Sequence, residues 1–267
     1  MTNKNGCVKI GDTDMYYVSF GRGEKKLIVL PGLSDGLATV KGKAMLLAPP
    51  YKRFSDEYTV YMMSRKNKMP KGYSIRDMAA DEIRAMDALD IKSAALMGVS
   101  QGGMIAQCMA VEHPQSVERL ILAVTAPYAN DVAKNVVKSW IKMAERGDHK
   151  ALMEDTAKKG YSKGYLKKNG WVLSLAAGLT KPSDYERFFR NAYAILGFDA
   201  RDELSRIKCP VYIIAGDDDN TVGNDAPYEL NNAIADSEMY IYKGLGHMLF
   251  EEAATDFYER VYRFCVS

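Results

Sequence analysis

The sequence has 267 residues, of which 47% are hydrophobic and 26% charged, with 36 Lys and Arg against 34 Asp and Glu. That length suits one large domain, or one domain carrying a modest insertion, with enough apolar material for a sizeable core. A net charge of +2 gives no electrostatic reason for a nucleic-acid or strongly anionic partner, and no apolar run is long enough to cross a bilayer.

The first six residues have no apolar stretch of the kind a secretory signal requires. Strand-like segments follow at 8–10 and 15–20, separated by turn chemistry at 11–14. Residues 26–30 form an apolar run closed by Pro31-Gly32, as a buried strand would be, and 58–63 is a further strand rich in aromatic and aliphatic side chains. Ser74 and Asp77 have the spacing of a capping box. Apolar residues then recur at Ile75, Met78, Ala79, Ile83, Met86 and Leu89, which marks one buried helix face.

Residues 94–97 predict a strand, 103–111 a helix of small residues that must stop before Pro114, and 120–124 another strand. Later come strands at 211–215 and 239–242 and a closing amphipathic helix over 250–264. Alternation of strand and helix implies an α/β fold with a mostly parallel sheet flanked by helices on both faces. The stretch 126–206 breaks this rhythm, being helix-like throughout and carrying Trp140 and Trp171. It reads as a helical insertion, with 1–125 and 207–267 forming the core.

The four cysteines, Cys7, Cys108, Cys209 and Cys265, lie far apart and form no C-x-x-C pair. Neither metal ligation nor a disulfide framework is expected, and a reducing compartment, the cytoplasm, is the natural setting.

The chemistry concentrates in Gly98-Val-Ser100-Gln-Gly102. The pattern G-x-S-x-G is weak alone, but here it leaves a buried strand and opens a helix, the setting in which it holds a projecting nucleophile. The helix N-terminus would aim free N–H groups at an oxyanion formed beside the Ser100 hydroxyl.

A serine needs a positioned base, and three histidines are available. His113 ends the helix far from Ser100, and His149 lies in a polar segment that reads as solvated. His247, in a loop between the last strand and the last helix, shares the carboxyl edge of the sheet with Ser100. A carboxylate must orient that imidazole. Asp217, Asp218 and Asp219 all follow the 211–215 strand, and charge alone does not choose among them. A calcium loop is excluded because its sixth position would be Val222 and its twelfth Tyr228. The turn after Leu30 supplies a second backbone donor, with the amide of Leu33 joining that of Gln101 in an oxyanion hole.

Together, LPGL at 30–33, GVSQG at 98–102, GDDD at 216–219 and GLGH at 244–247 resemble the α/β-hydrolase superfamily, over nearly the whole chain. The subgroups most similar are the cap-bearing carboxylesterases and enol-lactonase-like hydrolases. The resemblance implies a triad in the order Ser100, Asp219, His247, the acid standing three residues after the strand-ending glycine. It also implies that the helical insertion is a cap. One departure is Pro31, where many members carry His.

The expected activity is therefore hydrolysis of a small carboxylic ester, apolar or aromatic, with no cofactor and no metal, on a protein without integral membrane association. Met104, Trp140, Trp171, Phe188, Phe189, Tyr193, Phe198 and Met248 are candidates for the substrate pocket. Hydrolysis of a C–C bond or an enol-lactone, and cofactor-free perhydrolysis, would use the same triad. A slow-turnover ligand sensor is the alternative outside enzymes. There is no G-K-[ST] loop, and Gly21 and Gly23 are followed by Lys26 where a dinucleotide motif needs Gly.

Overall fold

The computed structural model describes residues 2–179 and 181–267, with the main chain alone over 174–179. The strands are β1 (Asn3–Ile10), β2 (Thr13–Gly21), β3 (Lys25–Leu30), β4 (Tyr58–Met63), β5 (Ala94–Val99), β6 (Val117–Ala123), β7 (Val211–Gly216) and β8 (Ser237–Tyr242). They form one eight-stranded sheet in the order β1-β2-β4-β3-β5-β6-β7-β8. The hairpin β1–β2 and the pair β2–β4 are antiparallel, and every pair from β4 to β8 is parallel. The fold is thus the mostly parallel α/β arrangement that the alternating pattern implies.

Period-two alternation sorts the buried strands onto two cores. Ile28, Leu30, Leu96 and Ile213 face one, while Leu27, Val29, Met97 and Ile214 face the other. The first core packs under α2 (Ile75–Ala88) and α3 (Gln101–Glu112), and the second under α10 (Ala254–Val266). Each of these fully buried aliphatic side chains contributes roughly 1.5–3 kcal/mol relative to exposure.

The capping box forms as read: Ser74 Oγ accepts from the Asp77 amide (3.1 Å) and Asp77 Oδ2 from the Ser74 amide (2.9 Å). Two boundaries differ. Strand β1 begins five residues before the apolar run at 8, because Asn3–Gly6 pair with β2 along an edge whose side chains face solvent; pairing there leaves no hydrophobic trace. The closing helix is split at Ala253 into α9 (Leu249–Glu252) and α10.

Two regions carry helices that the periodicity does not reveal: α1 (Ala44–Leu47), between β3 and β4, and α8 (Ala226–Ala233), before β8. Between β6 and β7 lie α4 (Asp131–Glu145), α5 (His149–Gly160), α6 (Lys163–Leu179) and α7 (Glu186–Leu196). They constitute the helical insertion. Among the described residues no helix is long and apolar enough to cross a membrane.

Glu82, on the inner face of α2, is fully buried, and neither carboxylate oxygen has a hydrogen-bond partner among the described residues. Burial, opposed by Arg65, pushes its carboxyl well above the ordinary value, which favours the protonated form in the folded chain. Unfolding lets it ionise, and stability falls as pH rises above the unfolded-state value. Glu82→Gln keeps the shape and removes that loss. Its unfolding free energy relative to the parent should rise with pH above the unfolded-state value, by at most about 1.4 kcal/mol per pH unit. A pH-independent difference would contradict the neutral assignment.

Candidate active site

Strands β3, β5, β7 and β8 all end at one edge of the sheet, and each is followed there by one of the residues singled out above. Ser100 sits between β5 and α3 with φ 55° and ψ −118°, a left-handed conformation that costs a non-glycine residue on the order of 1–3 kcal/mol. Four bonds hold it: its amide donates to Ala123 O (2.9 Å), and its carbonyl accepts from Gly103 N (2.8 Å), Met104 N (3.3 Å) and Thr125 Oγ1 (2.7 Å). The turn is also sterically closed, since a Cβ on Gly102 would lie 1.9 Å from the Leu30 carbonyl oxygen. The motif's glycine is therefore required by the close approach of β3.

His247 Nε2 lies 2.9 Å from Ser100 Oγ, and its Nδ1 lies 2.8 Å from Asp219 Oδ2. The His247 and Asp219 side chains are only 7% and 1% exposed. Asp219 Oδ1 accepts from the amides of Thr221 (2.8 Å) and Val222 (3.0 Å), which leaves Oδ2 for the imidazole. The neighbouring acids do other work. Asp217 accepts from Gly244 N and pairs with Lys243, and Asp218 accepts from Asn220. Of the three candidates, Asp219 alone is the one that contacts His247 in these bonds.

Gln101 is the first residue of α3 and Leu33 the first of the single turn Leu33–Gly36. A first-turn amide has no acceptor one turn back, so neither N–H is used within its own helix. The two segments are in contact: a Cβ on Gly32 would lie 3.3 Å from Ser100 Cβ and 3.8 Å from its Oγ. The Ser100 hydroxyl, the His247 imidazole and the segments that begin at Leu33 and Gln101 thus lie together at one edge of the sheet.

A cavity of about 1340 Å³ opens over this point, bounded below by Ser100, His247, Gly32 and Leu33 and above by α5 and α6. Of the pocket candidates, Trp140, Phe188 and Met248 line it. The other five do not, Phe198 lying buried in the core. Met104, one turn into α3 from Ser100, is buried in the core. Phe189 packs on Tyr185 and Phe188 within the insertion. Trp171 and Tyr193, 74% and 51% exposed, face solvent. Phe188 lines the cavity and Phe189 does not, because the two differ by one residue on a helix, hence by about 100° of arc.

His149 also departs from expectation. It is buried, lines the cavity, and its Nδ1 lies 3.0 Å from Tyr185 Oη. Asp148 caps α5 by accepting from the Ala151 amide, and the first helical turn carries the ring inward. Its polar neighbours hide this in the sequence. His113 closes α3 at the end opposite Ser100. Burial pushes the cavity-lining Tyr258 hydroxyl up to about 12. No group of three or more potential metal ligands occurs among the described residues.

Sequence reading missed a buried ionic cluster behind the oxyanion segments, formed by Asp35, Arg65 and Arg187. Its signal was Arg65 itself, a charge directly after a buried strand at the edge where the site lies.

Comparison with known proteins agrees with this fold. A family model described as the alpha/beta hydrolase fold matches residues 54–254. The 3-oxoadipate enol-lactonase 2 of Acinetobacter baylyi is 23% identical over 216 residues, covering 78% of this chain and 77% of that protein. An alpha/beta hydrolase from a Medee basin deep-sea metagenome library superposes with a TM-score of 0.87 at 18% identity, covering 98% of each chain. The enol-lactonase of Burkholderia xenovorans does so with a TM-score of 0.86 at 24% identity, covering 98% of this chain and 100% of that one.

Proposed function

Since the chain belongs to the alpha/beta hydrolase fold family, we propose that it is a serine hydrolase cleaving a carboxylic ester with apolar or aromatic substituents. The observation that carries this reading is the continuous chain of hydrogen bonds from Asp219 through His247 to Ser100. His247 Nε2 takes the Ser100 proton as Oγ attacks the ester carbonyl, and Asp219 stabilises the imidazolium. The amides of Leu33 and Gln101 bind the tetrahedral oxygen, each contributing roughly 3–4 kcal/mol to transition-state stabilisation. The imidazolium then protonates the departing alcohol, leaving an acyl-enzyme. Water, deprotonated by the same nitrogen, attacks the acyl carbon and restores Ser100.

In this reading the insertion α4–α7 is a cap roofing the site, and residues 126–206 form that unit. The cavity's size and its apolar walls, including Leu33, Met62, Trp140, Leu152, Phe188 and Met248, support an extended hydrophobic acyl or alcohol group. Such pockets usually span about 300–1,000 Å³, and this one is larger. Hydrolysis of p-nitrophenyl esters from acetate to octanoate tests the reading. kcat/KM should climb with chain length by up to about fourfold per methylene buried. No hydrolysis, or a profile that falls with length, would contradict it.

A second reading rests on one observation, the similarity to an enol-lactonase over most of the chain. The same acyl-transfer steps would open an enol-lactone ring. Adding an enol-lactone to the ester series separates the two by their kcat/KM ratio.

A further inference from the structure

Two segments supply the oxyanion donors, and the buried cluster behind them joins those segments to each other. Arg65 leaves β4 with its side chain 1% exposed. Its Nη2 donates to the carbonyl of Pro31, two residues before Leu33, and to Gln101 Oε1 at 3.3 Å. Its own amide donates to Asp35 Oδ2 at 3.0 Å, two residues after Leu33. One planar guanidinium therefore touches both the strand exit that carries the Leu33 amide and the residue that carries the second amide.

The insertion enters the same cluster. Arg187, on α7, donates from Nη2 to Asp35 Oδ2 (2.6 Å) and to Arg65 O (2.8 Å), and from Nη1 to Asp35 O. Gln101 Nε2 donates to Asn191 O on the same helix at 2.8 Å. Contact is close, since a Cβ on Gly36 would lie 2.9 Å from Phe188 Cα. None of Asp35, Arg65, Gln101 and Arg187 lines the cavity.

We propose that Arg65 is a positioning residue that fixes the spacing of the Leu33 and Gln101 amides, and that Arg187 makes this spacing depend on a docked α7. The proposal rests on the serine-hydrolase reading of the site. The chemistry fits the residue type: a guanidinium presents donors in a fixed plane, whereas an ammonium is a point charge that cannot hold two acceptors in one orientation. Burial raises the stakes, because a misaligned group in a water-excluded site has no solvent dipole to replace it. Burial pushes the Asp35 carboxyl up, yet the guanidiniums of Arg187 and Arg65 hold it below the ordinary carboxylate range. The cluster stays ionised and directional.

Arg65→Lys and Arg187→Lys test this with a p-nitrophenyl ester and its thiono analogue, in which sulfur replaces the carbonyl oxygen. Sulfur accepts N–H bonds poorly, so an aligned hole favours the oxo-ester and a misaligned one loses that preference. The expected result is a fall in kcat on the order of 10- to 100-fold, KM within about threefold of the parent, and a lower oxo-to-thiono ratio, in variants that still melt cooperatively. Arg187, whose side chain is 15% exposed, gives the variant that folds if Arg65→Lys does not. A rate that drops only in proportion to the folded fraction, or an unchanged ratio, would overturn the proposal while leaving the hydrolase reading intact. Absence of ester turnover in the parent protein removes both.

Discussion

Ser100→Ala is expected to lower kcat for ester hydrolysis on the order of 10⁶-fold while leaving the fold intact. The hydroxyl is the only atom of the site that forms a bond to substrate in the proposed mechanism, and a triad lacking its nucleophile retains little beyond binding and the oxyanion donors. Stability should change little. Alanine keeps the positive φ of 55°, and the four bonds that hold the turn use the Ser100 backbone, not its side chain. The check is steady-state hydrolysis alongside thermal melting. Loss of activity together with loss of cooperative melting would mean the residue is structural, and retained activity would mean another nucleophile.

Asp219→Asn should cost on the order of 10⁴-fold in kcat, and the reason is visible in its hydrogen bonds. Oδ1 accepts from two amides, at Thr221 and Val222. An asparagine must keep its oxygen there, so its NH₂ turns to His247 Nδ1. The imidazole would then carry its proton on Nε2, facing Ser100, and could no longer accept the serine proton. Asp217→Asn and Asp218→Asn, whose partners lie elsewhere, should change kcat by less than about threefold. Parallel kinetics on the three variants decide the matter; equal losses would remove Asp219 from its assigned role.

Much of this was legible because strand, turn and helix obey strict periodicities. The buried strands β3, β5, β6 and β7 are continuous apolar runs, and the residues that follow them must emerge at one edge when the strands are parallel. That rule alone places Ser100, the 217–219 acids and His247 together. It does not choose among three consecutive aspartates, since successive side chains after a strand point in different directions and the choice depends on which amides each one caps.

Side chains inside the insertion were harder to place. A helix buried on one face and roofing a cavity with another has two apolar surfaces, so Trp140 and Phe188 cannot be told from Phe189 by hydrophobicity. His149 was hidden for a related reason, because capping of α5 by Asp148 sets its direction. The Arg65 cluster escaped because buried ion pairs are made by residues distant in sequence: Asp35 and Arg187 are 152 positions apart.

The central claim is that the Ser100 hydroxyl is activated by His247. A fluorophosphonate probe, which phosphonylates only an activated serine, followed by peptide mapping, tests it most directly. The expected result is one adduct per chain, on the peptide containing Ser100, and none in His247→Ala at the same probe concentration. An unlabelled parent protein, an adduct on another residue, or equal labelling of the His247 variant would contradict it.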